Sequence, residues 1–329
     1  MKLEELARLA GVSKATANII LSGKADRYKI SHATRNKVMV LVEKYHYTSD
    51  SQPDTASTNN LLALIIPSLT HHGFARLTHE IETLGRERGY QWLLCCTQDD
   101  PEKEKAIIKG LQSIKIQAVM TVSALWEDGL YRTMQQRGVE IITVERQLPD
   151  SPIPSITCDE QRATKELCQL LLTSKPEQEP LVYFGGISTM ACSEQRLAGI
   201  HLALSESAHP SQDIQIFHKD YSATAGLELA SDYFSKHQQL PNSLFTGSFT
   251  LMEGVLQYIR QYPERRPERL NWATFGDSYI LDLLPFTVLS CRQEYGQIAS
   301  QFFSMLKNKT SQPSVIPLTL VQRNLPASQ

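Results

Sequence analysis

The sequence predicts a small all-α head joined to a larger α/β body made of two doubly wound, parallel-sheet lobes. Three observations carry that reading. The apolar pattern changes near residue 61, from helical spacing to short runs alternating with amphipathic segments. The stretch before the change, TSDSQPDTASTNN (residues 48–60), holds no large apolar residue and reads as a linker. Charge divides at the same place: residues 1–48 hold nine Lys and Arg against four Asp and Glu, and the remainder holds 24 against 31. A basic head on an acidic body fits a nucleic-acid-binding module joined to another unit, although a solvated face on a helical domain gives the same excess.

The head resolves into three short helices. In KLEELARLAG, Leu3, Leu6, Ala7 and Ala10 share one face, and Gly11 stops the run. Ser13 is placed to cap a second helix whose inward positions are Ala17, Ile20 and Leu21, with Gly23 as its end. After the polar loop KADRYK, Ser31 is placed to cap a third helix carrying Val38, Leu41 and Val42. Two short helices around a tight Gly-containing turn make a helix-turn-helix.

In the body, strand-like runs occur at LLALIIPSL, YQWLLCCTQ, QAVMTVSA and VEIITVE, then at PLVYFGG, IQIFHKD, SLFTGS and LNWATFGD. Helix-length segments separate them, which means βαβ units and parallel sheets. Eight such units also suit one closed barrel, but the proline-rich break QLPDSPIP favours two lobes. Parallel sheets bind ligands at the carboxyl ends of their strands, so two facing lobes point to the cleft between them. The segments there are SLTHHGF, ERQ, GGISTMACSEQR, KDYSAT, TGSFT, GDSY and CRQEY.

The chemistry of those segments suits a polyhydroxyl ligand. GGISTMACSEQR leaves a strand and opens a helix, whose first amides favour an anion or a sugar hydroxyl, with Arg196 one turn in. Its glycines match neither a P-loop nor a dinucleotide turn. Glu145, Arg146, Asp277, Arg292 and Gln293 end strands, and carboxylates and guanidiniums give bidentate hydrogen bonds to neighbouring oxygens. Phe74, Tyr221 and Tyr295 are candidates to stack on a sugar ring, with core packing as the alternative, and His71 and His72 read as loop or cleft residues. No nucleophile elbow or HExxH motif is present, so no catalytic residue, cofactor or metal is expected. The six cysteines show no C-x-x-C pairing and read as core or strand residues. No signal-peptide core follows Met1 and no apolar run reaches membrane-spanning length, so the expected location is the cytoplasm.

The ordered series MKLEELARLAGVSKATANIILSG, ISHATRNKV and YHY resembles the DNA-binding head of the lactose-repressor/galactose-repressor family. The resemblance continues through RERGYQWLLCCTQDDPEKE, QRLAG, SLFTGSF and WATFGD. The loop GKADRYKIS, THHGFARLTHEIE and LMEGVLQYI are most similar to the sucrose-operon repressors, then to the fructose repressors and the catabolite repressor/activator branch. The resemblance implies a periplasmic-binding-protein-like core, a homodimer or tetramer, a palindromic operator, and a sugar or sugar phosphate effector in the cleft. The implied boundaries are 1–48 for the head, 49–60 for the linker, 61–159 with 291–320 for the first lobe, and 160–290 with 321–329 for the second.

Carried over by position, the recognition helix presents Ser13, Lys14, Ala15, Thr16, Asn18 and Ile19, and the phosphate contacts fall on Leu3, Ser31, Thr34, Arg35 and Tyr47. The effector positions fall on Glu145, Arg146, Arg196, Tyr221, Asp277 and Gln293, with Glu145 standing where the family usually has Asp; Phe74, the ring-stacking candidate, is added to them as an expected effector residue. Residue chemistry agrees, since Asn pairs with adenine, Lys reaches guanine acceptors and an apolar side chain meets a thymine methyl. One departure stands out. Where relatives have a hinge helix whose leucine wedges into the minor groove, this linker has Ala56 near the leucine position, no arginine, and Pro53. The expectation is a weak or absent hinge helix. Two other functional classes remain: a sugar-binding receptor, disfavoured by the DNA-binding head, and a sugar-metabolising enzyme with an accessory head.

Overall fold

The computed structural model describes residues 3–45, 60–173, 179–207 and 213–323. It divides into two compact units, residues 1–59 and 60–329.

The head is built from α1 (Leu3–Ala10), α2 (Lys14–Leu21) and α3 (His32–Lys44). Gly11 and Gly23 follow the first two helices at φ +68° and +71°, a left-handed conformation that glycine adopts without a Cβ penalty. Ser13 and Ser31 accept hydrogen bonds from Thr16 N (3.0 Å) and Thr34 N (3.2 Å), satisfying a first-turn amide in each helix. Leu6, Ile20, Ala25 and Val38 form a small core, against which Ala10, Leu21, Leu41 and Val42 pack. This matches the inward set read from the spacing, except that Ala25 joins the core and Leu3 stays outside it.

The larger unit contains two open six-stranded sheets, which removes the barrel alternative. The first lobe contributes β1 (Leu61–Ile66), α4 (His72–Glu87), β2 (Gln91–Cys96), α5 (Pro101–Leu111), β3 (Ala118–Thr121), α6 (Gly129–Gln136), β4 (Glu140–Val144) and β5 (Ser155–Cys158). The second contributes α7 (Glu160–Thr173), β6 (Leu181–Gly185), α8 (Ala191–Ser205), β7 (Ile214–His218), α9 (Ala223–His237), β8 (Ser243–Thr246), α10 (Phe249–Gln261), β9 (Asn271–Phe275) and β10 (Val288–Arg292). The chain then returns to the first lobe as α11 (Tyr295–Asn308) and β11 (Ser314–Ile316), and to the second as β12 (Thr319–Val321).

Sheet order is β11-β5-β4-β3-β1-β2 in the first lobe and β12-β10-β9-β8-β6-β7 in the second. All pairs are parallel except β10 with β12. The eight strands expected from the apolar runs are present. The short β5, β11 and β12 carry too few residues for alternation to mark them. The expected lobe boundaries shift slightly. Cys291 pairs with Phe275 and Arg292 with Thr319, so both belong to the second sheet, as do Thr319 and Leu320. The ladder with β9 and β12 carries the second lobe past the expected boundary at residue 290.

One apolar cluster joins the lobes behind the cleft, with Leu62, Met120 and Phe302 on one side and Tyr183, Phe245 and Phe275 on the other. The outer faces are covered separately, by α5 and α6 over the first sheet and α9 and α10 over the second. Cys158, Cys168 and Cys291 are buried among these core side chains. No helix among the described residues is long and apolar enough to cross a membrane.

Candidate DNA-reading helix and effector cleft

In the head, Ala15 and Asn18 are exposed on the face of α2 opposite Ala17 and Ile20, and Ile19 is half-buried beside them. Lys14 donates to Glu4 of α1 at 2.6 Å, with both side chains mostly exposed. That pair holds Glu4 below its ordinary range, through the hydrogen bond first and then the charge of Lys14. The hydroxyls of Ser13 and Thr16 lie 2.8 Å apart, as do those of Ser31 and Thr34. Arg35 lies 3.8 Å from Asp26, and Leu3 opens α1. The expected phosphate contact Tyr47, and the linker from residue 49 to 59, lie outside the described residues.

In the larger unit, the carboxyl ends of both sheets face a cavity of about 740 Å³. Phe74, Glu145, Arg146, Arg196, Tyr221, Asp277 and Gln293 all line it, although they come from segments spread over more than 200 residues. Tyr295, His71 and His72 line it as well. Arg292 does not: its side chain is half-exposed and paired with Glu294 at 3.4 Å. It ends β10 pointing away from the cavity, so an arginine trio of residues 146, 196 and 292 is not assembled.

Arg196 is the most constrained of these groups. Its guanidinium makes a two-pronged contact with Glu160 at 2.8 and 3.1 Å and donates to Gly247 O at 2.7 Å. The plane also stacks on Phe275, 3.7 Å from the ring centroid. Burial opposes its charge most strongly, but the Glu160 carboxylate, together with Tyr221 and Cys192, more than offsets it and holds Arg196 protonated. The Tyr221 hydroxyl lies 3.5 Å from Arg196 and 2.6 Å from the Ser193 hydroxyl. Tyr221 sits against the backbone of Gly186, where any Cβ would collide with the ring. The Gly-Gly pair read as a helix-opening loop is therefore also the seat of Tyr221.

On the first-lobe side, Arg146 is paired with Asp99, and its Nη1 also approaches Ser123 O. Ser123 and Ala124 N donate to the fully buried Glu104, at 2.5 and 2.7 Å, as does Tyr131 at 2.5 Å. Glu145 occupies a left-handed backbone conformation at φ 63°. Burial first, and then repulsion from Glu160, raises its carboxyl to about 7. Gln293 spans the lobes, donating to Glu145 at 2.9 Å and accepting from Tyr295 at 2.6 Å. Asp277 accepts from Ser290 at 2.7 Å and pairs with Arg323.

Asp99, Glu160 and Arg323 thus complete the polar frame, and none was signalled by sequence. Each partners its group across a long loop, without local spacing to mark it. His71 is half-buried, and desolvation with the nearby Arg196 and Arg146 lowers its pKa to about 4, leaving a neutral ring with an unpartnered, buried Nδ1. The α8 start at Met190 and the α4 start at His71 have no side-chain cap, whereas Ser222 and Ser248 cap α9 and α10. At α4 the uncapped start lines the cavity through His71, His72 and Gly73, where first-turn amides are a candidate partner for a ligand oxygen. Among the described residues no cluster of His, Cys, Asp or Glu is arranged to hold a metal.

Comparison with known proteins matches both units. A family model described as bacterial regulatory proteins, lacI family, covers residues 2–50. One described as periplasmic binding proteins and sugar binding domain of LacI family covers residues 59–258. The fructose operon regulatory protein of Vibrio cholerae is 32% identical over 99% of both chains. The sucrose operon repressor of Klebsiella pneumoniae is 27% identical over 99% of this chain and 96% of its own. Among solved structures, the Cra transcriptional dual regulator of Pseudomonas putida, in complex with fructose 1-phosphate, superposes with a TM-score of 0.73 at 27% identity. That match covers 81% of this chain and 99% of the other. The family consists of DNA-binding regulators and not enzymes, which settles the choice left open above. The chain belongs to the LacI family of bacterial regulatory proteins.

Proposed function

We propose that this protein is a cytoplasmic homodimeric repressor of sugar-utilisation genes, released from a near-palindromic operator by a sugar or sugar phosphate bound between the lobes. The observation that supports this best is the cleft itself. All seven positions expected to bind the effector converge on one cavity at the carboxyl ends of two parallel sheets. The relatives named for fructose and sucrose operons, and the fructose 1-phosphate complex, make fructose and its 1-phosphate the first ligands to test, with sucrose next.

In this reading α2 enters the major groove, with Lys14, Ala15, Asn18 and Ile19 toward the bases and Ser31, Thr34, Arg35 and Tyr47 toward phosphates. The effector shifts the population toward a lobe arrangement that the operator-bound dimer does not share, which requires it to bind one arrangement more tightly. A gel shift on palindromes upstream of neighbouring genes, with and without fructose, fructose 1-phosphate and sucrose, tests the function directly. Release by one sugar supports it; no retardation at low salt rejects it.

The linker sequence adds a specific expectation. Without the wedge leucine, and with Pro53 in the linker, the operator bends less than in relatives. Circular-permutation mobility measures this, and a strong central kink would contradict it.

A further inference from the structure

The floor and the mouth of the cleft differ in how their charges are met. On the floor, Arg196 is paired with Glu160 and Asp277 with Arg323, and toward the first lobe Arg146 is paired with Asp99. Along α10, Thr250, Glu253 and Gln257 also line the cavity, at the i, i+3, i+7 spacing that shares one helix face. Exposure increases along that row, from buried Thr250 through half-buried Glu253 to exposed Gln257, so the row climbs from floor to mouth. Thr250 is 6% exposed and its hydroxyl has no hydrogen-bond partner. Among the described residues Glu253 has neither a hydrogen bond nor an ion pair, and burial alone raises its pKa.

An unpartnered, partly desolvated carboxylate at the mouth accepts hydrogen bonds from hydroxyls and repels anions. We infer that Thr250, Glu253 and Gln257 form a hydroxyl-binding subsite, and that Glu253 excludes a second phosphoryl group from the mouth of the cleft. A bound sugar thus keeps an uncharged end toward Glu253, and any single phosphoryl group lies away from that carboxylate. This inference rests on the effector reading above and narrows it to sugars carrying no more than one phosphoryl group.

The test is calorimetric titration of the full-length protein and of Glu253→Gln with fructose, fructose 1-phosphate and fructose 1,6-bisphosphate. The expected result is that the wild type binds the monophosphate at least about tenfold more tightly than the bisphosphate. Glu253→Gln narrows that gap several-fold, by gaining affinity for the bisphosphate, while its operator affinity and melting temperature stay unchanged. Equal affinity for the two esters in the wild type, a gap that Glu253→Gln leaves untouched, or binding of fructose alone by both proteins would each overturn the inference. If none of the three binds and none releases the operator, the effector reading itself fails for this sugar class, and the inference with it.

Discussion

The head and the cleft bring their candidate residues together by opposite means. In the head, Lys14, Ala15 and Asn18 are exposed on one helix, and the polar contacts that shape it are mostly three residues apart, as in Ser13 with Thr16 and Ser31 with Thr34. In the cleft, Arg196 meets Glu160 across 36 residues, Arg146 meets Asp99 across 47, and Glu145 meets Gln293 across 148. The head thus presents exposed groups, and even Lys14 is held only by the solvent-exposed Glu4. The cleft holds groups already committed to one another, so a ligand there must fit an existing frame. Substitutions of these paired cleft groups should therefore disturb stability and recognition together, and those on the head's outer face should disturb recognition alone.

The largest expected effect follows from Arg196. Replacing it with Ala leaves Glu160 buried without its partner, a defect that costs about 3–5 kcal/mol. Urea unfolding of the larger unit should show this loss, together with loss of the effector response. The double variant Arg196→Ala with Glu160→Ala should recover much of the stability and none of the response. If the single variant kept its stability, the claim that the cleft frame is structural would fail.

The next effect is a pH dependence centred on Glu145. Its folded pKa, about 7, exceeds the ordinary value of 4.5, so between those values the folded state holds a proton that the unfolded state has released. Its contribution to stability is therefore full below pH 4.5, falls as pH rises, and is lost by about pH 7. The change is at most about 3 kcal/mol, and cleft water reduces it, since the side chain is only partly buried. His71 works in the opposite direction: lowered to about 4, it favours the folded state increasingly as pH rises toward 6.5. The informative quantity is the difference between wild type and Glu145→Gln across pH 5 to 8, because His71 is common to both. A difference independent of pH would show that Glu145 is ionised throughout.

The same contrast explains what the sequence disclosed. The head's helices, caps and inward face were legible because 3.6-residue spacing, Ser caps and terminal glycines are local signals. The sheets were legible because parallel strands buried on both faces read as apolar runs, and the strand-end rule pointed to the cleft segments from which the family resemblance then picked out most of the seven positions. The partners Asp99, Glu160 and Arg323 were not legible, since only the fold carries them to the residues they neutralise. Arg292 shows the complementary failure: it ends a strand beside Gln293, but the pleat sends adjacent side chains to opposite sides.

On the head, Ser13→Ala removes the cap of α2, and about 1 kcal/mol is the usual cost. The loss should appear in the melting of the head and as weaker operator binding, with effector affinity of the larger unit unchanged. An equal loss of effector affinity would mean that the two units are energetically coupled in the absence of DNA.

The smallest stability effect is expected at Lys14. Its ion pair with Glu4 is solvent-exposed on both sides, where water and salt screen it almost completely. Lys14→Gln should therefore leave the melting temperature of the head nearly unchanged. If Lys14 leaves Glu4 for a guanine in the operator, the variant should lose about 1–3 kcal/mol of binding and relax preference at one base pair. If it instead meets a phosphate, binding should weaken equally for all sequences and the salt slope should fall by about one. Operator titrations at several salt concentrations, on the wild-type site and on single-base variants, separate the two outcomes. Unchanged affinity on every site would remove Lys14 from the reading face and leave Asn18, Ala15 and Ile19 to carry specificity.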